Sequence, residues 1–165
     1  MILRDGKLKI VSTVLDDPET KKLSQDYSVL ENLSETRLYP PNMPSSMVYR
    51  IEHEDKLIGE IGFRTIKWFN RKAEISLFII PEYQGKGYGK QALLMLMKFA
   101  FKKMNLYRLE AEVIDYNDRA KSLFEKLGFV LEGRLRDAKY NEGKYYDVLR
   151  YGILKHEYEN KYESK

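Results

Sequence analysis

A glycine-rich stretch of the sequence places residues suited to phosphate binding at regular spacing. In IIPEYQGKGYGKQ, residues 79–91, Gly85, Gly87 and Gly89 stand at alternate positions between an apolar run and a long apolar segment. A glycine-rich turn before a helix exposes backbone N–H groups around one point, and the helix dipole adds partial positive charge there. This arrangement predicts a site for a diphosphate.

Two well-known phosphate loops differ from this stretch. The Walker A pattern fails because no Gly-Lys-Ser/Thr closes the loop. The dinucleotide-binding pattern is closer, but the glycines are spaced G-x-G-x-G and not G-x-G-x-x-G,. Glu110 or Glu112 on a following strand could be mistaken for the ribose-binding acid of that pattern, but antiparallel strands upstream argue against it.

The residues able to accept a proton in a reaction are mainly carboxylates. The chain has no cysteine, which excludes a thiol nucleophile and a thioacyl intermediate,. His53 falls in a predicted hairpin turn and His156 in a charged tail, so we expect both at the surface and no serine–histidine relay. Glu74 and Glu112 remain as candidate bases, although each could equally be a strand residue that faces solvent or forms an ion pair.

Hydrophobic periodicity predicts the elements that must position these residues. Predicted strands cover residues 8–14, 47–52, 56–68, 72–80 and 107–113, and two more flank the turn at 141–143. Three helices are predicted. The first runs from Pro18 to about Leu33, and the second follows the glycines. The third starts at Asn117, where an asparagine cap precedes apolar residues at helical spacing. Strand 107–113 should lie parallel to strand 72–80, because a strand–helix–strand crossover normally returns that way.

Composition limits the class of protein. The chain has 165 residues, no internal repeat and no linker, so we expect one domain over residues 1–165,. No apolar run is long enough for a membrane span and no signal-peptide core is present, so we expect a cytoplasmic protein without a membrane partner. The net charge of +4 is spread along the chain, which favours a small anionic ligand over nucleic acid,. We expect no metal.

Two sequence blocks carry a resemblance to a known family. Gln84, Gly87 and Gly89 match the acetyl-coenzyme A signature Q/R-x-x-G-x-G/A. The second block, N-x-x-A-x-x-L-(F/Y)-x-x-x-G-F, is matched by Asn117, Ala120, Leu123, Gly128 and Phe129. The chain therefore resembles the GNAT superfamily of N-acetyltransferases, and residues 132–137 and 141–154 resemble its RimJ/RimL branch, which acetylates the N-termini of ribosomal proteins.

This resemblance implies a fold and a cofactor site. The implied fold is α/β (α+β), with a mixed, mostly antiparallel central sheet of about six to seven strands, a splayed parallel pair and about four helices. Acetyl-coenzyme A is the implied co-substrate. Its pantetheine should pair with backbone groups of Phe78, Ile79 and Ile80, and its thiol end should contact Asn117 and Phe124. Its diphosphate should be held by Gln84, Gly85, Lys86, Gly87, Tyr88, Gly89 and Lys90.

The resemblance also implies a reaction. It is direct acetyl transfer to a primary amine, which could be a protein N-terminus or a small amine such as a polyamine or an amino sugar. Glu74 falls where GNAT histone acetyltransferases carry their catalytic glutamate, and Glu112 falls where ribosomal N-terminal acetyltransferases carry theirs. We favour Glu112 slightly, because it directly precedes the Asn117 helix.

One departure from the family keeps an alternative open. Many GNAT enzymes have a tyrosine at the position of Phe124 that protonates the leaving thiolate, and phenylalanine cannot donate a proton. Tyr116, Tyr140 or Tyr145 could replace it, or the thiolate could leave unassisted. The alternative to an enzyme is a coenzyme A-binding domain without turnover. The sequence leaves the oligomeric state open; a homodimer is one option, because related folds often dimerise.

Overall fold

The computed structural model describes residues 2–34 and 40–164, without the side chains of Ile2 and Asp5. The contacts within the chain divide it into two compact units, residues 1–39 and residues 40–165. The single domain expected over 1–165 stays a prediction. None of the described helices is long and apolar enough to span a membrane.

The first unit contains a small hairpin and two short helices. Strand β1 (Ile2–Asp5) pairs antiparallel with β2 (Leu8–Val11), so the strand predicted over 8–14 is shorter than expected and has a partner that was not predicted. The predicted helix to about Leu33 is two helices, α1 (Pro18–Ser24) and α2 (Tyr27–Leu30). They are separate because the Asp26 carboxylate accepts from the N–H of Ser28, which starts a new helix,.

The second unit holds the remaining elements. Its strands are β3 (Met47–His53), β4 (Lys56–Lys67), β5 (Lys72–Ile79), β6 (Arg108–Ile114), β7 (Val130–Asn141) and β8 (Lys144–Leu154). Its helices are α3 (Tyr88–Lys102), α4 (Asp118–Lys126) and α5 (Lys155–Tyr162), and a 3-10 turn covers Pro81–Tyr83. Helix α5 was not predicted. It packs through buried Tyr158 on Phe101, with ring centroids 4.9 Å apart.

The six strands form one mixed sheet in the order β3-β4-β5-β6-β8-β7. Only β5 and β6 run parallel, and all other neighbours are antiparallel, as predicted. The parallel pairing covers Lys72–Ile75 and Arg108–Ala111, while both strands continue beyond it. The sheet therefore contains the expected splayed parallel pair.

One face of this sheet forms the core. Alternate strand residues such as Ile75, Ala111 and Tyr151 are buried against apolar side chains of α3 and α4, including Leu93 and Phe124,. The other face of β5, β6 and β8 carries charged residues, among them Glu74, Glu112 and Arg150. The pleat thus separates a packed face from a charged face at the centre of the sheet.

Candidate active site

The glycine loop leads directly into helix α3. Gly85 and Gly87 have φ angles of +74° and +86°, a conformation that residues with a Cβ rarely adopt,. Gly87 is the N-cap of α3 and provides no side-chain cap, so the first backbone N–H groups of the helix have no side-chain acceptor from it,. A Cβ added at Gly85 or Gly87 would meet no atom within 4 Å. The loop is therefore open beside both glycines and leads into the N-terminus of α3, whose first N–H groups suit a diphosphate,.

A chain of hydrogen bonds joins this loop to the end of β5 and to the start of α4. Gln84 Nε2 donates to the carbonyl oxygen of Ile79 at 2.7 Å. Arg119 Nη1 donates to Gln84 Oε1, also at 2.7 Å. The glutamine of the first sequence block therefore connects the two elements between which the ligand is expected.

These elements surround a cavity of about 520 Å³ beside the glycine loop. Ten of the predicted cofactor residues line it: Phe78, Ile79, Gln84, Gly85, Gly87, Tyr88, Gly89, Lys90, Asn117 and Phe124. The structure thus brings both sequence blocks to one concave site, although they are about 30 residues apart in the chain.

Two predicted cofactor residues do not line the cavity. The N–H of Ile80 donates to the carbonyl oxygen of Ile58 at 2.9 Å, and its own carbonyl oxygen accepts from the N–H of Tyr83. The Lys86 ammonium lies 5.2 Å from the centre of the Tyr83 ring. Ile80 therefore has its backbone groups engaged within the protein, and Lys86 lies on an aromatic ring beside the loop.

Five further residues line the cavity without having been predicted as cofactor residues. They are Leu77, Tyr83, Arg119, Ala120 and Leu123. Ala120 and Leu123 are fixed positions of the second sequence block, so their spacing already contained the signal. Arg119 stands at a variable position of the same block, and its bond to Gln84 holds it at the cavity.

The backbone directions of β5 show which residues face the splay. Along a strand, the backbone N–H and C=O groups of alternate residues point to the same side. Because the N–H of Ile80 bonds to β4, the backbone groups of Phe78 also point to β4. The groups of Leu77 and Ile79 point the other way, where β6 no longer pairs. The backbone groups of Leu77 and the N–H of Ile79 are therefore able to pair with an extended ligand inserted at the splay, while the carbonyl oxygen of Ile79 already accepts from Gln84.

Helix α4 forms the other wall of the cavity. The Asn117 side chain accepts from the N–H of Ala120 at 3.1 Å and caps the helix, as predicted. Phe124 is buried, and its ring packs edge-on against Phe129 with centroids 5.0 Å apart. Tyr116, Tyr140 and Tyr145 are exposed and do not line the cavity. The described structure places none of these three as a substitute for the missing tyrosine.

Both candidate bases adjoin the point where the parallel strands separate. Ile75 and Ala111 form the last pair of β5 with β6, and Glu74 precedes this pair on β5 while Glu112 follows it on β6. By alternation the two carboxylates lie on the charged face, opposite the buried face of Ile75 and Ala111,. Neither lines the cavity. A group passing through the splay from the cavity would therefore emerge between them.

The neighbouring carboxylates differ in their partners. Glu112 Oε1 accepts from Arg150 Nη1 at 2.8 Å. Glu110 accepts from Lys72 at 3.0 Å and from Arg108 at 2.8 Å. Burial opposes ionisation of Glu110, but these hydrogen bonds outweigh it and hold its pKa below the ordinary value,. Glu110 and Glu112 are thus ion-paired carboxylates.

Glu74 differs from both. Within the described part of the chain no side chain forms an ion pair or hydrogen bond with its carboxylate. Burial raises the pKa of Glu74 above the ordinary 4.5, and the negative charge of Glu112 raises it further, while Arg150 and Lys72 act in the opposite direction,. A half-buried, unpaired carboxylate with a raised pKa is suited to accept a proton near neutral pH.

The histidine prediction is half confirmed. His156 is exposed, as expected. His53 is half-buried, and its Nε2 lies 3.1 Å from the hydroxyl of Tyr88, so the prediction of a surface residue was wrong. The reason is that β3 extends as far as His53, and the side chain of Tyr88, the first residue of α3, contacts the His53 ring. His53 also lines a second cavity between β3 and α3, which contains neither the splay nor the glycine residues of the loop.

The arrangement fits acetyl-coenzyme A as a substrate. The loop offers N–H donors, left-handed glycines and open space, with Lys90 and Arg119 as cations at the same cavity,. The stretch of β5 beyond Ile75 offers backbone groups that β6 does not pair, and the charged face offers the Glu74 carboxylate, which has no ion pair among the described residues. These features suit an anionic, extended thioester that reacts with a nucleophile on the far side of the sheet.

Comparisons with known proteins agree with this geometry. A family model described as an acetyltransferase (GNAT) domain matches residues 8–149. A spermidine N(1)-acetyltransferase of Vibrio cholerae is 32% identical over 142 residues, which cover 84% of this chain and 81% of that protein. A Bacillus subtilis protein that bears the name of a ribosomal N-acetyltransferase, YdaF, is 34% identical over 107 residues, 65% of this chain and 58% of its own length.

A solved structure shows the same fold. It is a mutant form of the spermidine/spermine N-acetyltransferase SpeG of Vibrio cholerae, with a TM-score of 0.70 and 32% identity. The match covers 74% of this chain and 74% of that one.

Proposed function

The chain belongs to the GNAT family of acetyltransferases, and from this premise we propose that it transfers the acetyl group of acetyl-coenzyme A directly to a primary amine. The first acceptor we propose is a linear polyamine such as spermidine. The observation that carries the proposal is that the glycine loop and the stretch of β5 beyond its last pair with β6 line one cavity. Glu74, which has no ion pair among the described residues, precedes that stretch on β5. The names of the Vibrio relatives support the acceptor.

Binding is assigned to three parts of the cavity. The loop residues from Gln84 to Lys90 hold the diphosphate through backbone N–H groups, and Arg119 adds a cation. Leu77 and Ile79 pair with the pantetheine arm through their backbone. Together they direct the thioester to the splay, where the acceptor amine approaches from the charged face in a ternary complex with both substrates.

Glu74 is proposed as the base. A primary ammonium group has a pKa near ~10, so it must lose a proton before its nitrogen can attack the thioester carbon. Glu74 accepts this proton, directly or through water, while the new N–C bond forms. The S–C bond then breaks and the thiolate leaves. Although the sequence slightly favoured Glu112, the Glu112 carboxylate is engaged by Arg150 Nη1 at 2.8 Å, whereas Glu74 has no such partner among the described residues, which supports Glu74.

The thiolate is proposed to leave without a protein acid. Phe124 occupies the position of the family's tyrosine and carries no proton to give. Since thiols titrate near ~8.5, a coenzyme A thiolate needs little assistance around neutral pH and takes its proton from solvent. We therefore propose that the protein assists removal of the proton from the acceptor amine and does not assist departure of the thiolate.

A protein N-terminus is the second candidate acceptor. The YdaF match, at 34% identity, and the resemblance to the RimJ/RimL branch support it. The α-amino group of a protein titrates near ~8, so more of it is already neutral at physiological pH and less is asked of the base.

An acceptor panel tests the proposal. Purified protein is mixed with acetyl-coenzyme A and, in parallel, with spermidine, an amino sugar and a peptide with a free N-terminus, and free thiol release is followed. We expect release with spermidine above the rate without acceptor. Release with the peptide alone would select the second candidate. Binding of coenzyme A without release for any amine would support the domain without turnover.

A further inference from the structure

Arg150 occupies a central position on the charged face of the sheet. It stands on β8 directly opposite Glu112 of β6 in the antiparallel register. Its Nη1 lies 2.8 Å from Glu112 Oε1, and its Nη2 lies 3.5 Å from Glu110 Oε2. One guanidinium group therefore contacts both carboxylates of the strand that adjoins Glu74.

We propose that Arg150 and Glu112 are positioning residues, a fixed ion pair whose two opposite charges together set the proton affinity of Glu74. The inference rests on the proposed role of Glu74 as the base. Glu112 favours the protonated form of Glu74 and Arg150 favours the ionised form. Because the two charges are paired with each other, each offsets part of the effect of the other on Glu74.

The sheet geometry places these charges where they act on Glu74. Glu74 stands opposite Glu110 in the parallel register, and Glu112 is the next residue of β6 on the same face,. On the other side, β4 presents Thr65 opposite Glu74, which is uncharged. The charged groups around Glu74 are therefore Lys72 on its own strand, Glu110 and Glu112 on β6, and Arg150 on β8. On β4, Lys67 lies two residues beyond Thr65 on the same face, opposite Lys72.

Glu112 and Arg150 are the two charges of this cluster that a single substitution would leave uncompensated. Glu110 is neutralised by Lys72 and Arg108, which hold it at 3.0 Å and 2.8 Å. Glu112 has Arg150 as its ion-pair partner within the described residues, and Arg150 is half-buried. Removal of either member exposes Glu74 to the uncompensated charge of the other, at an effective dielectric well below that of water.

A titration of the Glu74 carboxyl tests the proposal without any turnover. The protein is labelled with ¹³C at glutamate side-chain carboxyls, and the Glu74 signal is identified as the one missing from Glu74→Gln. We expect Arg150→Gln to raise the titration midpoint and Glu112→Gln to lower it, each by about half a pH unit. The double variant should lie near the wild-type midpoint, because both charges are gone.

Two further variants separate charge from folding. Arg150→Lys keeps the charge and should leave the midpoint close to that of the wild type. Arg134→Gln removes an arginine that pairs with Asp147 and Asp115 and has no contact with the Glu74 cluster, so it should leave the midpoint unchanged. Shifts of the two single variants in the same direction, or a double variant that does not return toward wild type, would overturn the proposal. Failure of the acceptor panel would leave this titration unaffected, so the two results are distinguishable.

Discussion

Ile75 of β5 and Ala111 of β6 form the last pair between the two parallel strands of the sheet. Strand β5 continues to Ile79 and β6 to Ile114, so each strand has an unpaired side beyond this point. The cavity beside the glycine loop contacts β5 on this stretch, from Leu77 to Ile79. The gap is therefore the place where an extended ligand can complete the sheet.

The first prediction concerns amide hydrogen exchange along β5. In the free protein, the amides of Leu77 and Ile79 should exchange faster than that of Phe78, which points to β4. Coenzyme A should slow Leu77 and Ile79 and leave Phe78 nearly unchanged. Residue-resolved exchange by NMR measures this. Equal protection of all three amides, or none, would contradict a pantetheine arm paired with β5.

The second prediction concerns the left-handed glycines. Gly87→Ala should destabilise the free protein by about 1–2 kcal/mol, because its φ of +86° is strained for alanine,. It should also abolish the rise in melting temperature that coenzyme A produces, since the loop can no longer hold its conformation. Thermal unfolding with and without coenzyme A measures both effects.

Gly143→Ala is the matched control for this variant. Gly143 has a φ of +80° and lies in the β7–β8 turn, away from the cavity. The same backbone strain is expected there, but the shift caused by coenzyme A should remain. Loss of the shift in both variants would show that instability, and not the loop, is responsible.

The third prediction concerns the base. Glu74→Gln should lower kcat by ~10²–10⁴-fold and leave coenzyme A affinity intact, because a general base contributes about that factor. Glu112→Gln should lower kcat much less. Raising the pH should partly rescue Glu74→Gln, since more acceptor amine is then already neutral. Steady-state kinetics with spermidine from about pH 7 to 9.5 decides this.

A larger loss of kcat in Glu112→Gln than in Glu74→Gln would identify Glu112 as the base. Unchanged kcat in both variants would mean that solvent deprotonates the acceptor amine.

The fourth prediction links Glu74 to stability. Its pKa is raised in the folded protein by burial and by Glu112, so the folded state binds more protons than the unfolded state around and above the ordinary value of 4.5,. Ionised Glu74 therefore costs stability at neutral pH, and this cost disappears when the pH falls below that value. Glu74→Gln should raise the melting temperature by about 1–2 °C near pH 7.5 and have no such effect near pH 4.

Glu82→Gln, at an exposed position, is the control for this comparison. A melting temperature of Glu74→Gln that falls below wild type near neutral pH would show that the Glu74 carboxylate stabilises the fold.

Local sequence chemistry determined most of the elements in the second unit. The turn after Asn141 is a tight hairpin, with positive φ at Glu142 and Gly143, as its residue types predict,. Asn117 caps α4 and Gly128 follows its end with a φ of +99°, again as predicted,. These features depend on residues close together in the chain, so their spacing was sufficient.

Some elements depend on partners that are distant in sequence. Helix α5 has no clear apolar stripe, and buried Tyr158 on Phe101 is what places it against the protein. His53 was expected in solvent but meets Tyr88, which is 35 residues away. Such contacts leave no periodic pattern in the sequence, and so they could not be predicted from it.

The sequence by itself determined the family, the parallel pair and the residues of the two blocks that line the cavity, because each depends on local backbone conformation and on fixed spacing. The tertiary structure alone decided the electrostatics of the site. The sequence distinguished Glu74 and Glu112 only slightly, in favour of Glu112, because each is an acidic residue in an alternating strand. They differ because Arg150, 38 residues beyond Glu112, pairs with Glu112 and leaves Glu74 half-buried and without an ion pair among the described residues. Proton affinity depends on burial and on charges close in space, and only the folded chain brings these together.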